Sequence, residues 1–352
     1  MKIVADRDIP FLEGVLDPFV EVVRLPGEAI GPDDVRDADA ILTRTRTRCD
    51  AALLAGSRVR FIGTATIGFD HIDTEWCRVR GIAVATAAGC NRRGVLQWVG
   101  AVLAWLADGR AAGHGGRTRG PKPGGTTLGV VGVGNVGSLV ADYAAAWGFR
   151  VMRSDPPRER AGGRGAAEGF YPLGEMVAAC DIITFHVPLT AEGPDATRHM
   201  VNRDLLAAAK PGAVILNSSR GPVVEPDALR KEVHGGAHSF VIDTWNGEPA
   251  IDREVLKRTL LATPHIAGYT VQGKAAATSM VVRALAREFG LPLTEWYPAG
   301  APRSVPRPIE WDEMRGLMPS YFDIAAESAA LKAAPALFEA IRDGYDYRME
   351  FF

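Results

Sequence analysis

Short apolar runs alternate with amphipathic stretches along most of this chain. Residues 2–5, 40–43, 61–64 and 82–86 read as strands, and 10–21, 51–55 and 72–80 as helices. That βα rhythm predicts a parallel sheet with helices on both faces. Residues 94–107 form a strongly apolar helical stretch, placed as a crossover between two domains. A strand from Leu128, a helix at 138–147 and a strand at 149–153 follow. Further helices are predicted at 173–179, 203–208, 226–233 and 253–256, with strands at 181–186, 213–217, 239–243 and 260–263. A long helix at 273–289 returns to the first domain, which makes that domain discontinuous in sequence. Prolines at 292, 298, 302, 306 and 308 mark an extended linker, and residues 319–352 have helical spacing. The whole reads as an α/β chain of two doubly wound parallel-sheet domains plus a small C-terminal helical or α+β segment. The boundaries are 1–93 with 270–290, 94–269, and 291–352.

The segment Gly132-Val133-Gly134-Asn135-Val136-Gly137 lies between a strand and a helix, and the next strand ends at Asp155. This G-x-G-x-x-G turn inside a βαβ unit has the parts that a dinucleotide requires. Gly132 permits the tight turn, Gly134 lets backbone approach a pyrophosphate, and Gly137 lets helix and strand pack closely. The helix N-terminus, which includes Asn135 and Val136, offers free N–H groups to the phosphates. Asp155 suits a ribose 2′-OH, which favours NAD over NADP, while Arg153 and Arg158 beside it keep NADP open. The second domain is therefore expected to be of the Rossmann type.

Composition adds limits. The chain has 352 residues, 47% hydrophobic and 23% charged, enough for two or three domains with large cores. A formal net charge of −2 gives no global field toward nucleic acid or membrane, and neither is expected as a partner. Cys49, Cys77, Cys90 and Cys180 are scattered, which predicts free thiols in a reducing compartment and no metal site. No signal-like start and no membrane-length apolar run stand in the sequence, so a cytoplasmic location is expected. Residues 109–125, rich in glycine with Arg110, Arg117, Arg119 and Lys122, read as a surface loop.

Open α/β sheets bind ligands at the carboxyl ends of their strands. Three such ends carry unusual polar residues: Ser218-Ser219-Arg220-Gly221, Thr244-Trp245-Asn246-Gly247-Glu248-Pro249, and Pro264-His265-Ile266-Ala267-Gly268-Tyr269. Oxidation of an alcohol by NAD calls for a group to take the hydroxyl proton and a cation to hold an adjacent carboxylate. Histidine titrates near neutral pH, a neighbouring carboxylate stabilises its protonated form, and arginine grips carboxylates in a bidentate fork. His265, Glu248 and Arg220 are the candidates for these tasks.

Together these motifs resemble the D-isomer-specific 2-hydroxyacid dehydrogenases, over about residues 1–290. The resemblance implies that Arg220, Glu248 and His265 are the catalytic set, and that the NAD domain is inserted in a flavodoxin-like substrate domain. A second group of stretches narrows it: 63–71, 88–91, Asp155-Pro156-Pro157-Arg158, Thr184-Phe185-His186-Val187-Pro188-Leu189 and His265-Ile266-Ala267-Gly268-Tyr269-Thr270. These are similar to the branch that oxidises the C2 hydroxyl of D-erythronate 4-phosphate to the 2-oxo acid during pyridoxal 5′-phosphate synthesis. That branch carries an extra C-terminal dimerisation segment, so a homodimer is implied. By the same resemblance Thr45, Thr66 and Tyr269 contact substrate, and Asp155, Val187, Pro188, Ser218, Asp243 and Gly268 line the cofactor site. Arg44, Arg46 and Arg48, read as alternating along a strand end, are the candidates for the phosphate, with Arg348 of a partner chain as a further cation. The chain departs from the pattern at Gln97, where a carboxylate is common, and at Thr45, where serine is usual. Another D-2-hydroxyacid dehydrogenase, acting on phosphoglycerate, glyoxylate or hydroxypyruvate, and a non-catalytic NAD-sensing protein remain as alternative readings.

Overall fold

A computed structural model describes residues 1–109, 120–162 and 169–352. Most of the glycine-rich stretch read as a surface loop lies outside these residues. The strands are β1 (Lys2–Asp6), β2 (Glu21–Leu25), β3 (Ala40–Thr43), β4 (Phe61–Thr64), β5 (Ala83–Thr86), β6 (Thr127–Val131), β7 (Arg150–Ser154), β8 (Ile182–Phe185), β9 (Val214–Asn217), β10 (Ser239–Ile242) and β11 (Leu261–Ala262). The first helices are α1 (Pro32–Val35), α2 (Ala51–Leu54), α3 (Thr74–Val79), α4 (Arg92–Ala107), α5 (Asn135–Ala146), α6 (Pro156–Gly162) and α7 (Leu173–Ala179). The rest are α8 (Arg203–Ala208), α9 (Pro226–Val233), α10 (Arg253–Arg258), α11 (Val271–Phe289), α12 (Trp311–Tyr321), α13 (Ile324–Ala333) and α14 (Phe338–Asp343). Two compact units result: residues 1–91 with 269–305, and residues 92–268 with 306–352.

In the first unit five parallel strands take the order β2-β1-β3-β4-β5, the flavodoxin-like arrangement. Side chains alternate across a strand, so each strand feeds two cores. Ile3, Ala5, Leu42 and Phe61 pack with Val281, Val282 and Leu285 of α11. Val4, Ile41 and Ile62 face Val35, Leu53, Leu54 and Cys77 on the other side. Gly63 marks how closely α11 lies on β4, because a Cβ there would stand 2.5 Å from Val281 Cγ1. The helix α11 starts at a Thr270 cap, whose hydroxyl accepts from Gly273 N–H at 3.0 Å, and ends at Gly290 with φ +68°.

The helix expected at 10–21 is absent. Ile9, Leu12 and Leu16 are buried at helical spacing, but turns deliver them. Pro10, Gly14 with φ +74° and Pro18 interrupt any helical ladder there. The end of that stretch instead opens β2, an edge strand paired in parallel with β1.

The second unit holds six parallel strands in the order β11-β10-β9-β8-β6-β7. Among the described residues this sheet has two strands rather than three in its first mononucleotide half. At the position of the third, Phe170 makes a single parallel bridge to Arg153. One face is filled by Val131, Phe185, Ile215, Phe240, Ile242 and Val255 together with Leu331 and Phe338 from the C-terminal helices. On the other face α4 packs against α5 and α12. Gly100 of α4 seats α12, since a Cβ there would lie 3.1 Å from Met318 Cε and 3.4 Å from Met314 Sδ.

The four cysteines are free thiols, with Cys49, Cys77 and Cys180 buried. Among the described residues no helix is long and apolar enough to cross a membrane, and no cluster of three or more His, Cys, Asp or Glu is placed to hold a metal.

An aromatic cluster joins residues 306–352 to this unit. The Trp311 ring meets Phe149 edge-on at 5.1 Å and Trp147 at 5.8 Å, and Trp147 Nε1 donates to Ile309 O at 3.0 Å. Trp311→Ala is expected to cost about 3–5 kcal/mol, read as a lowered urea midpoint for the second unit. An unchanged midpoint would show that the cluster does not hold the segment.

Candidate active site

The strand β6 turns into α5 at Gly132, Val133 and Gly134. Gly132 has φ +81°, and a Cβ there would stand 2.6 Å from His186 O. A Cβ on Gly137 would stand 1.8 Å from Gly132 O, so helix and turn approach to a distance only glycine allows. Among the described residues, a Cβ on Gly134 meets no atom within 4 Å, so this position faces open space at the head of α5. Asn135 and Val136 open that helix, where the first N–H groups have no intrahelical acceptor. Asp155 follows β7 and braces the turn: Oδ2 accepts from Val133 N–H at 2.7 Å and Oδ1 from Arg158 N–H at 3.1 Å. The Arg158 guanidinium donates to Val133 O.

Val187 and Pro188 follow β8, and Val187 Cγ1 would lie 2.8 Å from a Cβ on Gly132. The Ser218 hydroxyl, past the end of β9, is buried with no partner among the described residues. Gly268 closes the stretch that carries His265. A glycine cradle, a helix N-terminus and an orphaned hydroxyl at the strand ends fit a dinucleotide.

The strands β9, β10 and β11 are neighbours, and the candidate catalytic residues follow their carboxyl ends. His265 Nδ1 lies 2.8 Å from Glu248 Oε2, and Glu248 Oε1 accepts from Trp245 N–H at 2.7 Å. With Nδ1 turned to the carboxylate, Nε2 is left for a reacting group, and the His265 side chain is 39% exposed. Arg220 Nη1 donates to Ser219 O at 2.8 Å. Asn217 shapes that turn, since its Nδ2 donates to Arg220 O at 2.9 Å and its Oδ1 accepts from Ser219 Oγ at 2.7 Å.

Burial works against charging the His265 ring, but the Glu248 carboxylate and its hydrogen bond, helped by Asp243, outweigh burial. The ring therefore titrates above the ordinary histidine value, with Arg220 opposing. Burial likewise pushes Glu248 up, but His265, Trp245 N–H and Arg342 pull it lower, and it ends below the usual carboxylate range.

Asp243, at the end of β10, braces the stretch that follows β11. It is 1% exposed, and Oδ1 accepts from Thr263 Oγ1 at 2.6 Å, Ile266 N–H at 2.8 Å and Ala267 N–H at 3.1 Å. Its backbone oxygen accepts from His265 N–H at 2.8 Å. These bonds hold His265 at φ +58°, a left-handed conformation unusual outside glycine. Burial raises the Asp243 pKa despite the donors.

Two residues of the C-terminal segment reach this site. Arg342 Nη1 stands 3.6 Å from Glu248 Oε2, a contact that the sequence does not signal. Arg348 is buried in its own chain, donating to Ile266 O at 2.9 Å, Gly94 O at 2.8 Å and Ala267 O. Its guanidinium lies 4.3 Å from the Phe322 ring centroid. These bonds replace the expectation that Arg348 projects from a partner to a phosphate.

Arg44, Thr45, Thr66 and Tyr269 belong to the first unit. Residues 44–48 lie beyond β3, outside any strand, so the strand alternation expected for Arg44, Arg46 and Arg48 does not apply. Arg44 Nη1 donates to Asp8 O at 3.1 Å, and Arg48 Nε to Asp50 Oδ2 at 2.7 Å. Thr45 is exposed. The Thr66 hydroxyl pairs with Thr64 Oγ1 at 2.6 Å and donates to Gly68 O at 2.9 Å. Lys274 Nζ lies 3.4 Å from the Tyr269 ring centroid.

Comparison with known proteins gives the family. Residues 97–267 match the family described as D-isomer specific 2-hydroxyacid dehydrogenase, NAD binding domain. The chain is 44% identical over 352 residues to an erythronate-4-phosphate dehydrogenase of Bacteroides fragilis, covering 99% of this chain and 97% of that one. It is 42% identical over 353 residues to the Bacteroides thetaiotaomicron protein of the same name, covering 99% and 97%. Among solved structures, the D-lactate dehydrogenase of Aquifex aeolicus, complexed with NAD and lactic acid, superposes with a TM-score of 0.65 at 23% identity. That match covers 86% of this chain and all of the other.

The glycines separate folding from binding. Gly137→Ala is expected to destabilise the second unit, because its Cβ collides with backbone. Gly134→Ala is expected to melt like the parent and to bind NAD at least about tenfold more weakly, by titration calorimetry. Parent-like NAD affinity in Gly134→Ala would place the cofactor elsewhere.

Proposed function

This chain belongs to the D-isomer specific 2-hydroxyacid dehydrogenase family, and on that premise we propose that it oxidises the C2 hydroxyl of D-erythronate 4-phosphate to the 2-oxo acid, as a cytoplasmic homodimer. The substrate is that of the relatives it resembles along almost its full length. The observation that carries the reaction type is the 2.8 Å contact of His265 with Glu248 at strand ends that also present Arg220.

Bound NAD supplies the nicotinamide that accepts a hydride. The backbone around Gly132, Gly134 and Gly137 and the head of α5 would hold its pyrophosphate. Asp155 would receive a ribose hydroxyl, and Val187, Pro188, Ser218 and Gly268 would flank the remainder. Arg220 binds the C1 carboxylate and draws electron density from the C2 oxygen. His265 Nε2 takes the C2 hydroxyl proton, and Glu248 steadies the imidazolium that forms. Thr45, Thr66 and Tyr269 are assigned to the substrate's hydroxyls, and Arg44 and Arg46 past β3 to its phosphate. Arg48 is held by Asp50 and is left out of that set.

The direct test is NADH formation over a panel of D-2-hydroxy acids with and without a terminal phosphate. Activity is expected on D-erythronate 4-phosphate and to be lost without the phosphate. Equal rates on the unphosphorylated acids would reject this substrate, and NAD binding with no turnover on any acid would reject catalysis. His265→Asn is expected to lower kcat by about 10²–10⁴-fold with the fold intact.

The pH dependence has a definite sign. His265 must be neutral to accept a proton, and its pKa is raised by Glu248. The acid limb of kcat/KM is therefore expected above the ordinary histidine value of about 6.5. Glu248→Gln should move it to lower pH while slowing the reaction, and a limb that stays in place would remove Glu248 from the proton relay.

A further inference from the structure

We propose that Arg342, on α14 of the C-terminal segment, is a positioning residue for the catalytic pair: it shares Glu248 with His265, keeps that carboxylate ionised and aligned, and limits how firmly it draws a proton onto the ring. The proposal deepens the reaction assigned above and rests on that reading for its catalytic meaning.

The geometry is specific. Glu248 Oε2 faces His265 Nδ1 at 2.8 Å and Arg342 Nη1 at 3.6 Å, while Oε1 is taken by Trp245 N–H at 2.7 Å. One carboxylate thus serves three donors, and both of its oxygens are committed. The two side chains of the ion pair are only 17% and 18% exposed, so water screens their attraction far less than it would at a surface.

The guanidinium is also held from its own side. Glu339 Oε1 lies 3.4 Å from Nη2, Asp343 Oδ1 lies 4.0 Å from Nε, and the Phe338 ring centroid is 5.9 Å away. Phe338 is 1% exposed and belongs to the same core as Ile242 and Val255, so α14 is anchored in the second unit.

The charges acting on this relay can be named. Glu248 is faced by His265 and Arg342. His265 is faced by Glu248, Asp243 and Arg220. Arg342 is faced by Glu248, Glu339 and Asp343. Two carboxylates therefore favour the imidazolium, and Arg220 opposes them directly. Arg342 opposes them through Glu248, by drawing on the oxygen that stabilises the charged ring. Without Arg342, Glu248 would act on His265 alone, and less of the ring would be neutral at working pH.

The test reads His265 itself and needs no substrate. The ring is followed by NMR titration in ¹³C-histidine-labelled protein, assigned with His265→Asn, for the parent, Arg342→Met, Arg342→Gln and Arg342→Lys. The His265 pKa is expected to rise by about one unit in the Met and Gln variants and to return close to the parent value in Lys, which restores the charge. The acid limb of kcat/KM should move by the same amount. A pKa that stays in place in both Met and Gln, or that moves as far in Lys, would overturn the proposal. So would a fall in kcat at every pH with the limb unmoved, because that is the signature of a purely structural contact. The NMR arm stands if the substrate assignment fails, so the two failures are distinguishable.

Discussion

The buried Asp243 carboxylate ties the end of β10 to the backbone beyond β11. Its oxygens collect the Thr263 hydroxyl and the Ile266 and Ala267 N–H groups, and its own carbonyl takes the His265 N–H. Trp98 of α4 extends the network, donating to the Thr263 hydroxyl at 3.0 Å. A left-handed conformation at a non-glycine residue costs on the order of 1–3 kcal/mol. Hydrogen bonds to a charged acceptor contribute about 1.5–3 kcal/mol each, so several of them offset that strain. The direction in which His265 points is therefore dictated by a carboxylate that need not touch substrate at all.

Around that ring the protein separates two carboxylates by environment. Both Asp243 and Glu248 act on His265, yet burial lifts one pKa while charge and hydrogen bonding lower the other. Asp243 lies deepest and organises backbone. Glu248 lies nearer the surface, meets the ring directly and has a guanidinium beside it. Carboxylates pushed apart in this way suit different tasks: one frames the loop, and the other is placed to stabilise a positive charge on His265. Arg220 adds a positive charge that favours the neutral ring, which is the form a proton acceptor requires.

Much of this was legible in the chain. Strands buried on both faces announce themselves as short apolar runs, and residues 40–43 and 61–64 read in sequence as they stand in the structure. The glycine turn was legible because each glycine answers a separate steric demand. Arg220, Glu248 and His265 stand out in the chain because polar residues grouped at the carboxyl ends of buried strands are uncommon there. Residues 10–21 misled because Ile9, Leu12 and Leu16 have helical spacing while Pro10, Gly14 and Pro18 prevent the ladder. Arg44, Arg46 and Arg48 misled because alternation has meaning only inside a strand, and β3 ends at Thr43. Asp243 could be read as a polar residue at a strand end, but not as the anchor of a loop on the next strand. Arg342 was hidden for a related reason: helical periodicity gives a face but not the neighbour on which that face lands.

That hidden neighbour belongs to C-terminal helices that also constrain the stretch carrying His265. The strand β11 lies at the edge of its sheet and is paired at only Leu261 and Ala262, too little to fix the residues that follow it. The helix α13 covers that edge: Ser328 Oγ accepts from Ala262 N–H at 3.0 Å, and Lys332 Nζ donates to the carbonyls of Thr259 and Leu260. Edge groups that would otherwise remain open to another strand are satisfied within the chain. Farther along, Arg348 closes on the carbonyls of Ile266 and Ala267, so the stretch carrying His265 is gripped from both ends. A two-residue strand can present His265 in a defined direction because a segment outside the sheet supplies the constraints that the sheet lacks. Loosening that segment would act on the stretch carrying His265 and on the core together, since Leu331 and Phe338 pack into one face of the sheet.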